Sequence, residues 1–547
     1  MDILCEKNKG YDWWVGEKGF FKGYIQLADA KGGEILEGGR ALDWFHQSKD
    51  FSEFLKKLSD IYGFFAVIIK KEDRIWAAVD IARTMPLYYS DDCRFLSDSG
   101  EKIRKLKKIR KSDVNPIRMV ELYATSNIVF ENTAYDSVKQ IDCGNAIEFI
   151  DDKATKAFYF AHTEETKEYT ETQALKALEQ VTKKVIERTL KYINKRPIVL
   201  SLSGGYDSRY LACSLKNAGI DRVICYTYGS RQSRDVKESK LVADALGYDW
   251  YCVEYTDQDI CRLVKKENEG YFTYCCEHDY TIYLQNYIAV RKLTEDGRLP
   301  KDAVFLTGLG NDMPTGVYVP SEETASSYGY SIQAVCDYII DYRFARVTLR
   351  EDIHDRLAAE LRTFLRGSGI REITDYQSFV NAVDCAQAEE AHSRCYPNMN
   401  RIHEYFGYQW VMPCWDKELI RFWYGMPVEF RYKRNLFEKY VTEELGKKYH
   451  VGQKRWTAVS QKNQFLYKAK RRVGGILVRI LYPLGIPIKR NTDENNFAPL
   501  EVLLYRNIRQ KKAVKAQRAA ITMMLNIYMM EKRYGYQWYR DISRFVK

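Results

Sequence analysis

Six consecutive residues, Ser203 to Ser208, combine two glycines, three hydroxyl-bearing side chains and one carboxylate. They follow the apolar run Pro197 to Leu200 and precede a helix-like segment that begins at Arg209. Adjacent glycines carry no Cβ, so successive backbone N–H groups and a helix N-terminus can converge on an anion. The pattern therefore predicts a phosphate-binding loop. The alternative is an ordinary strand-to-helix turn, with glycine for tightness and serine as the N-cap.

The carboxylate of Asp207 indicates what accompanies the phosphate. A phosphate would repel this carboxylate unless a divalent cation lay between them, so the sequence predicts Asp207 as a ligand of Mg²⁺. Ser203 and Ser208 add hydroxyl donors. The segment lacks the longer glycine spacing and the Lys-Ser/Thr pair of a Walker loop.

This loop resembles the Ser-Gly-Gly-x-Asp-Ser loop of ATP pyrophosphatases, and its surroundings resemble the synthetase domain of the asparagine synthetase family. The resemblance runs in order from about residue 60 to residue 460. It implies cleavage of ATP between the α and β phosphates to form an acyl-adenylate. It also implies that ATP and Mg²⁺ are bound, with ATP and its pyrophosphate contacting Leu202, Ser203, Gly204, Gly205, Asp207, Ser208, Thr227, Tyr228 and Gly308.

A second glycine-containing segment, Thr307 to Met313, follows the buried strand expected at Asp302 to Leu306. It resembles the family motif Ser-Gly-Glu-Gly-x-Asp-Glu, which makes Asp312 the second expected metal ligand. Leu309 and Met313 replace the two glutamates of that motif. Since Mg²⁺ on pyrophosphate needs only one or two protein carboxylates, Asp207 and Asp312 suffice for the metal. The loss at Leu309 puts aspartate in doubt as the substrate.

Catalytic residues are expected in two further segments. Gly452 to Trp456 is similar to the family segment whose lysine contacts the reacting α-phosphate, which makes Lys454 the expected catalytic ammonium, with a surface lysine as the alternative. A base for the attacking amine is expected among Asp384, Glu389 and Glu390, and spacing alone does not choose between them. His392 and His403 are expected to be packed or hydrogen-bonded.

Strand and helix patterns alternate from about residue 171 to residue 296, which is typical of a parallel sheet covered by helices. Ligands of such sheets bind beyond the carboxyl ends of the strands, where the loop at Ser203 lies. The predicted fold class is α/β. An N-terminal antiparallel β-rich Ntn-like sandwich domain (1–165) precedes a doubly wound parallel-sheet ATP-pyrophosphatase domain (170–465) with a helical part and a basic helical extension (466–547).

The N-terminal region resembles the amidotransferase domain of the same family at Gly63 to Ala66, Asp80 and Pro86 to Tyr89. Glutamine-hydrolysing members use a cysteine directly after the initiator Met, activated by its own α-amine. Here that position is Asp2, and Cys5 is expected to be structural. The resemblance therefore implies a domain without glutaminase activity.

Composition describes a soluble globular protein, with 46% hydrophobic and 29% charged residues. The net charge of +11 over 547 residues does not demand nucleic acid. The 13 cysteines show no paired metal spacing, and their odd number favours free thiols and a cytoplasmic location. Residues 468–488 are too interrupted to span a membrane, and we expect either a buried helix or peripheral membrane contact.

The leading hypothesis is an AMP- and pyrophosphate-forming amide ligase that joins a small-molecule, peptide or sugar-linked carboxylate to an amine or ammonia. Ammonia-dependent asparagine synthesis competes with amidation or closure of a larger acid, as in the β-lactam synthetase and lasso peptide cyclase branches. The substitutions at Asp2 and Leu309 favour the second. The other hypotheses are a degenerate nucleotide-binding or partner-binding protein and a tRNA-thiolation-type ATP pyrophosphatase.

Overall fold

A computed structural model of the chain describes residues 1–28, 33–265, 268–345, 347–389, 393–452, 477, 480–488, 495–509, 521–535, 542 and 544–546. Two of the expected catalytic residues, Glu390 and Lys454, lie outside the described residues, as does most of 468–488.

The N-terminal region is β-rich, as the sequence predicts. Its strands are β1 Asp2–Leu4, β2 Trp13–Gly16, β3 Gly19–Leu27, β4 Ile35–Glu37, β5 Ile61–Lys70, β6 Arg74–Val79, β7 Tyr88–Ser90, β8 Phe95–Ser97, β9 Val138–Gln140, β10 Asn145–Ile150 and β11 Lys153–Phe158. Its helices are α1 Gly38–His46, α2 Phe51–Ser59, α3 Gly100–Leu106 and α4 Pro116–Thr125.

In the described residues these strands form two sheets. The larger is antiparallel, in the order β11-β10-β6-β5-β3-β2, with β4 paired to β3. The smaller has the order β1-β8-β7-β9 and contains one parallel pair, β1 with β8. Strands β5 and β6 form a hairpin around Lys71 and pair antiparallel, with Lys70 opposite Ile75. Strand β5 is buried along most of its length, which explains its nearly continuous apolar sequence.

The second region contains the parallel sheet. Its strands are β12 Ile198–Ser201, β13 Val223–Tyr228, β14 Asp249–Val253, β15 Val304–Leu306 and β16 Gln409–Val411. All pair in parallel, in the order β14-β13-β12-β15-β16. After β12, the chain therefore adds β13 and β14 on one side of it. It then adds β15 and β16 on the other side. The carboxyl ends of β12 and β15 flank the switch point, where α/β sheets bind their ligands.

Helices surround this sheet. They are α5 Glu171–Ile193, α6 Tyr206–Asn217, α7 Arg234–Leu246, α8 Asp257–Arg262, α9 Glu269–Cys275, α10 Tyr287–Glu295, α11 Glu322–Tyr328, α12 Ile332–Arg343, α13 Glu351–Gly367, α14 Tyr376–Gln387, α15 Ser393–Tyr405, α16 Lys417–Tyr424, α17 Val428–Arg431, α18 Asn435–Lys439 and α19 Gly446–Lys448. Two C-terminal helices, Ala498–Asn507 and Ile521–Tyr534, pack on each other.

Local signals explain the main helix ends. Helix α5 begins with a capping box between Thr170 and Gln173 and ends at Asn194 in the left-handed conformation. Helix α7 begins at a Ser233 N-cap and ends at Gly247 with φ 70°. Helix α6 differs, because its N-cap is Gly205 and no side chain caps it. The N-terminus of α6 therefore has no side-chain cap and directly follows the glycine-rich loop.

Buried ion pairs join the N-terminal region to the second region. Arg83 Nη2 lies 2.9 Å from Asp279 Oδ2, and both side chains are fully buried. Arg394 Nη2 lies 2.5 Å from Asp142 Oδ1. Truncating one partner of such a pair leaves an uncompensated buried charge, so each pair fixes how the two regions meet.

Candidate active site

The loop Ser203 to Ser208 connects β12 to α6, at the switch point of the parallel sheet. Leu202 continues the strand, because its N–H donates to Tyr226 O at 2.9 Å. Serine hydroxyls then shape the turn: Ser203 N–H donates to Ser208 Oγ at 3.0 Å, and Gly205 N–H donates to Ser203 Oγ at 3.1 Å. The strand, turn and helix order predicted from the sequence is therefore confirmed.

Two acidic side chains from α7 lie against the glycines of this loop. Gly204 N–H donates to Asp235 Oδ1 at 3.0 Å. A Cβ on Gly204 would lie 2.8 Å from that oxygen and 3.0 Å from Glu238 Oε2. Position 204 therefore accepts glycine alone without displacing a carboxylate. A phosphate that reaches this N–H must replace Asp235 as the acceptor.

The second loop, Thr307 to Met313, leaves β15 and packs directly on the first. A Cβ on Gly308 would lie 3.0 Å from the carbonyl carbon of Asp207 and 3.1 Å from its Cβ. Asn311 Nδ2 donates to Asp207 Oδ1 at 2.8 Å. Thr307, Gly308 and Asn311 therefore bring Asp312 to the same edge of the sheet as Asp207.

Arg434 connects the two aspartates that the sequence assigns to the metal. Its Nη1 lies 3.0 Å from Asp312 Oδ1 and 3.4 Å from Asp207 Oδ2, and its Nη2 donates to Asp207 Oδ1. Two carboxylate oxygens, one from each aspartate, therefore face a single nitrogen. The guanidinium is 7% exposed, against 22% for Asp207 and 37% for Asp312.

The backbone that presents Arg434 is unusual. Lys433 and Arg434 have φ values of 54° and 62° in succession, just before α18. Side chains with a Cβ rarely adopt this left-handed region, and such strain concentrates at functional sites. Sequence alone assigns no role to Arg434, because neither its φ nor its distance from Asp207 can be read from the chain.

The strand next to β12 supplies Thr227 and Tyr228. Thr227 is buried, and Tyr228 stacks on Tyr255 with the ring centroids 5.5 Å apart. The hydroxyl of Tyr228 lies 3.3 Å from that of Tyr283. The structure thus places both residues at the same sheet edge as the two loops.

Two of the predicted bases, Asp384 and Glu389, are paired with other buried side chains. Asp384 lies 2.6 Å from Arg431 Nη2 in a buried ion pair. Glu389 lies in a buried cluster with Cys143 and His162. Burial raises the pKa of Glu389 to about 8. Both remain predictions as bases, and Glu390 lies outside the described residues.

The described chain approaches the phosphate loop again near residue 451. Arg209, fully buried in α6, donates from Nη2 to Gly204 O and from Nη1 to Val451 O, each at 3.1 Å. Lys454 lies three residues farther along, outside the described residues. Its role at the α-phosphate remains a prediction.

A large cavity, which we call the aromatic chamber, is lined by tyrosines that contact or follow elements of the site. Its volume is about 620 Å³. Tyr283, which contacts Tyr228, lines it on one side, and Tyr318, which follows the Asp312 loop, lines it on another. Burial raises the pKa of Tyr318 to about 12, with a contribution from the negative charge of Asp312. The chamber therefore opens beside the expected nucleotide site.

Most of the chamber lining is uncharged, and Arg343 is the charged residue among the described side chains that form it. Three regions of the chain contribute. They are the end of α4 and the residues after it (Ala124, Thr125, Ser126, Asn127), the second region, which we call the synthetase region (Tyr280, Thr281, Ile282, Tyr283, Leu284, Gln285, Tyr318, Tyr342, Arg343, Ala345, Cys395, Met399), and the C-terminal segment (Phe497, Leu500, Ile521, Thr522, Leu525).

Residues 177–451 match the family model described as Asparagine synthase. The match spans half of the chain. This chain belongs to the asparagine synthase family. The matched residues include both loops, Ser203 to Ser208 and Thr307 to Met313, and also Arg434. Enzymes of the asparagine synthase family use ATP and Mg²⁺.

Two solved structures show a weak similarity to this asparagine synthase family member. One is glutamine phosphoribosylpyrophosphate amidotransferase from B. subtilis complexed with ADP and GMP, at 9% identity, 55% of this chain, 58% of that chain and a TM-score of 0.17. The other is an allosteric regulatory enzyme of purine biosynthesis, at 10% identity, 54% of this chain, 55% of that chain and a TM-score of 0.15. The chain thus spans less than two thirds of either. No curated protein matches it.

The described residues bear on three further predictions. All 13 cysteines are unpaired. Within the described part of the chain, each helix is too short or too polar to cross a membrane. Leu477, Ile480, Leu484 and Ile486 are exposed, and peripheral membrane contact through 468–488 remains a prediction.

Proposed function

We propose that this protein activates a carboxylate substrate with ATP, releasing pyrophosphate, and then transfers the acyl group from the adenylate to an amine or ammonia. The convergence of Asp207 and Asp312 on one cationic group is the observation that carries the proposal. A carboxylate pair at the carboxyl edge of a parallel sheet, beside a glycine-rich loop, suits the triphosphate of a nucleotide with its metal.

The donor set fits Mg²⁺. One oxygen of Asp207 and one of Asp312 already lie within 3.4 Å of the same nitrogen, Arg434 Nη1, so both carboxylates face the space that a cation would occupy. Oxygen ligands of this type are those that Mg²⁺ prefers, with waters and phosphate oxygens completing its coordination. When bound, the ion would neutralise charge on the phosphate oxygens.

The phosphate loop and Arg434 would have separate roles in this reaction. The N–H groups of Gly204 and Gly205, the hydroxyls of Ser203 and Ser208 and the free N-terminus of α6 would hold the departing pyrophosphate. Arg434, now between the two aspartates, would turn from one of them toward the phosphates as the metal arrives. Its guanidinium would there stabilise the charge that develops as the α-phosphorus is attacked.

Glutamine is not the proposed source of nitrogen. Cys5 is buried, and burial raises the pKa of its thiol well above the usual value, with the charge of Asp98 adding to the effect. A nucleophilic thiolate needs the opposite, an accessible site with a lowered pKa. The N-terminal region would therefore act as a structural neighbour of the synthetase region, and free ammonia or an amine would be the acceptor.

The acid is proposed to be larger than aspartate. The aromatic chamber has a volume typical of sites for ligands of drug size. Its tyrosine, aliphatic and sulfur-containing lining favours an acid with a bulky, mainly uncharged body. Leu309, at the position of a family glutamate, packs half-buried against the core and offers no carboxylate to an amino-acid substrate.

ATP–pyrophosphate exchange tests this proposal. Purified full-length protein is assayed with Mg²⁺ over a panel of acids that includes aspartate and aromatic, aliphatic and peptide carboxylates. We expect exchange that depends on one of the bulky acids. Asp312→Asn should lower it about 100-fold, because one charged oxygen at the metal is lost. The exposed Asp302→Asn serves as the matched control and should retain full exchange. Failure of every acid to promote exchange would overturn the adenylation step.

A second candidate, a nucleotide-free partner-binding protein, is favoured by Arg434 itself. A buried guanidinium that already neutralises both aspartates removes their need for a metal. Thermal unfolding separates the two functions. An ATP-using enzyme at nucleotide and Mg²⁺ concentrations of about 100 Kd gains about 2.7 kcal/mol, whereas a degenerate protein would show no shift.

A further inference from the structure

A second group of side chains with ligand chemistry lies where the N-terminal region meets the synthetase region. Cys143 lies between β9 and β10, His162 follows β11, and Glu389 follows α14. All three are buried, at 0%, 2% and 1% exposure. One sulfur, one ring nitrogen and one carboxylate oxygen lie within 4.8 Å of one another.

The ring of His162 is already oriented for a ligand. One ring nitrogen donates to the backbone of Ile81, which leaves Nε2 as the nitrogen with an available lone pair. Within the described residues, Nε2 has no hydrogen-bond partner. Histidine ligands of metals are commonly held in this way, with the second ring nitrogen donating to a backbone carbonyl or a carboxylate.

The carboxyl group of Glu389 also lacks one hydrogen-bond partner among the described residues. It shares a hydrogen bond with the Cys143 thiol, but its Oε2 has no partner among the described residues. Buried polar atoms of native proteins are nearly always hydrogen-bonded. Two such atoms beside a thiol therefore offer positions at which a cation could be bound.

We propose that Cys143, His162 and Glu389 bind one Zn²⁺ ion, which fastens the N-terminal region to the synthetase region. Thiolate, imidazole and carboxylate are the three ligand types of zinc, and their mixture favours zinc over the oxygen-preferring Mg²⁺. This site is separate from Asp207 and Asp312 and does not depend on the proposed ligase activity, and it assigns Glu389 to the ion and leaves the role of base to another residue.

The geometry and the charges are compatible with the ion. Zinc bonds of about 2.0 to 2.3 Å place tetrahedral ligands about 3.5 Å apart. Side-chain rotations that draw the three atoms together by about 1 Å are therefore enough. On binding, the thiol and the carboxyl each release a proton, and the two negative charges balance the ion. Three protein ligands leave the fourth position for one small molecule such as water.

Metal analysis of the intact protein tests the site. The full chain is produced in zinc-supplemented medium, freed of loosely bound ions by gel filtration, and measured by mass spectrometry of its metals. We expect one zinc per chain, lost in Cys143→Ser and in His162→Gln. Cys336→Ser, which removes another buried thiol, is the matched control and should keep its zinc. Wild-type protein that holds no stoichiometric zinc after loading would overturn the proposal.

Cobalt substitution identifies the thiolate ligand without relying on activity, and its wild-type measurement needs no variant. Wild-type protein stripped of zinc and loaded with Co²⁺ should show thiolate-to-cobalt charge-transfer absorption in the near ultraviolet. Cys143→Ser should lose this band. A cobalt spectrum without any charge-transfer band in the wild type, or one that Cys143→Ser leaves unchanged, would place the ion elsewhere and refute the assignment.

Discussion

The two parts of the candidate active site are built in opposite ways. The phosphate side consists of two short loops that directly follow neighbouring strands, and its chemistry is charged: Asp207, Asp312 and Arg434. The aromatic chamber is assembled from three distant regions of the chain, and its lining is largely uncharged. The phosphate side would perform a step common to many ligases, and the aromatic chamber would decide which acid undergoes it. Reaction and substrate recognition would thus lie in separate parts of the site.

The largest effect that tests this separation is expected at Gly308. A Cβ there would press on the backbone of Asp207 at 3.0 Å, so Gly308→Ala should shift one carboxylate relative to the other. We expect exchange to fall about 10- to 100-fold, because small misplacements at a reacting centre are costly. Gly367→Ala, whose new Cβ would meet Phe158 at an ordinary 3.5 Å, is the control. Equal activity of the two variants would contradict the packing of the loops.

Arg434→Gln tests the electrostatics of the phosphate side. Without Mg²⁺, the variant should lose about 2 kcal/mol of unfolding free energy, less than a fully buried pair because both aspartates are partly exposed. Mg²⁺ should then stabilise the variant more than the wild type, since no guanidinium competes for the carboxylates. Melting temperatures with and without Mg²⁺ measure this, with the half-exposed Arg421→Gln as the control. An identical Mg²⁺ shift in all three proteins would show that the ion binds elsewhere.

Met399→Trp tests the chamber side. The larger side chain would fill part of the cavity that Met399 lines. The KM for the best acid of the panel should rise about 10-fold, while the KM for ATP should change less than about 2-fold. Leu241→Trp, at an exposed position of α7, is the control. If the ATP and acid constants rose together, the two parts would not be separable.

The smallest effect concerns the scaffold beneath the loops. His403 stacks on Phe305 of β15 with the ring centroids 4.0 Å apart, and burial lowers its pKa to about 3. The unfolded chain binds this proton near pH 6.5 and the folded protein does not, so stability falls as pH decreases from about 6.5 toward 3.

Between pH 6.5 and 5.5, His403 should cost the wild type up to about 1.4 kcal/mol of unfolding free energy. His403→Phe should remove that part of the pH dependence, measured by denaturant unfolding. The exposed His450→Gln should keep the wild-type slope. A His403→Phe protein with an unchanged slope would show that another group titrates.

What the sequence predicts follows from how local each signal is. Strand β13 covers Val223 to Tyr228, where an apolar run closed by glycine is a complete local signal. Strand β7 begins at Tyr88, after Pro86, since proline offers no N–H to the ladder. The phosphate loop was equally readable, because its residues are consecutive.

The other features depend on distance in space. Arg434 lies 227 positions from Asp207, and nothing local marks its left-handed backbone. The chamber draws on segments from residue 124 to residue 525, none with a motif. The cysteines show no metal spacing in the sequence, yet folding brings Cys143 beside His162 and Glu389. Such groupings form only when separate elements pack together.

The two C-terminal helices contribute Leu500 and Leu525 to the chamber, while the end of α4 contributes Thr125. Neither segment contains an expected catalytic residue. Under the proposed function, substitutions in these segments would change which acid is accepted and leave the phosphate loops unchanged. Related proteins would then differ in their acid substrates through these segments and share one adenylation reaction.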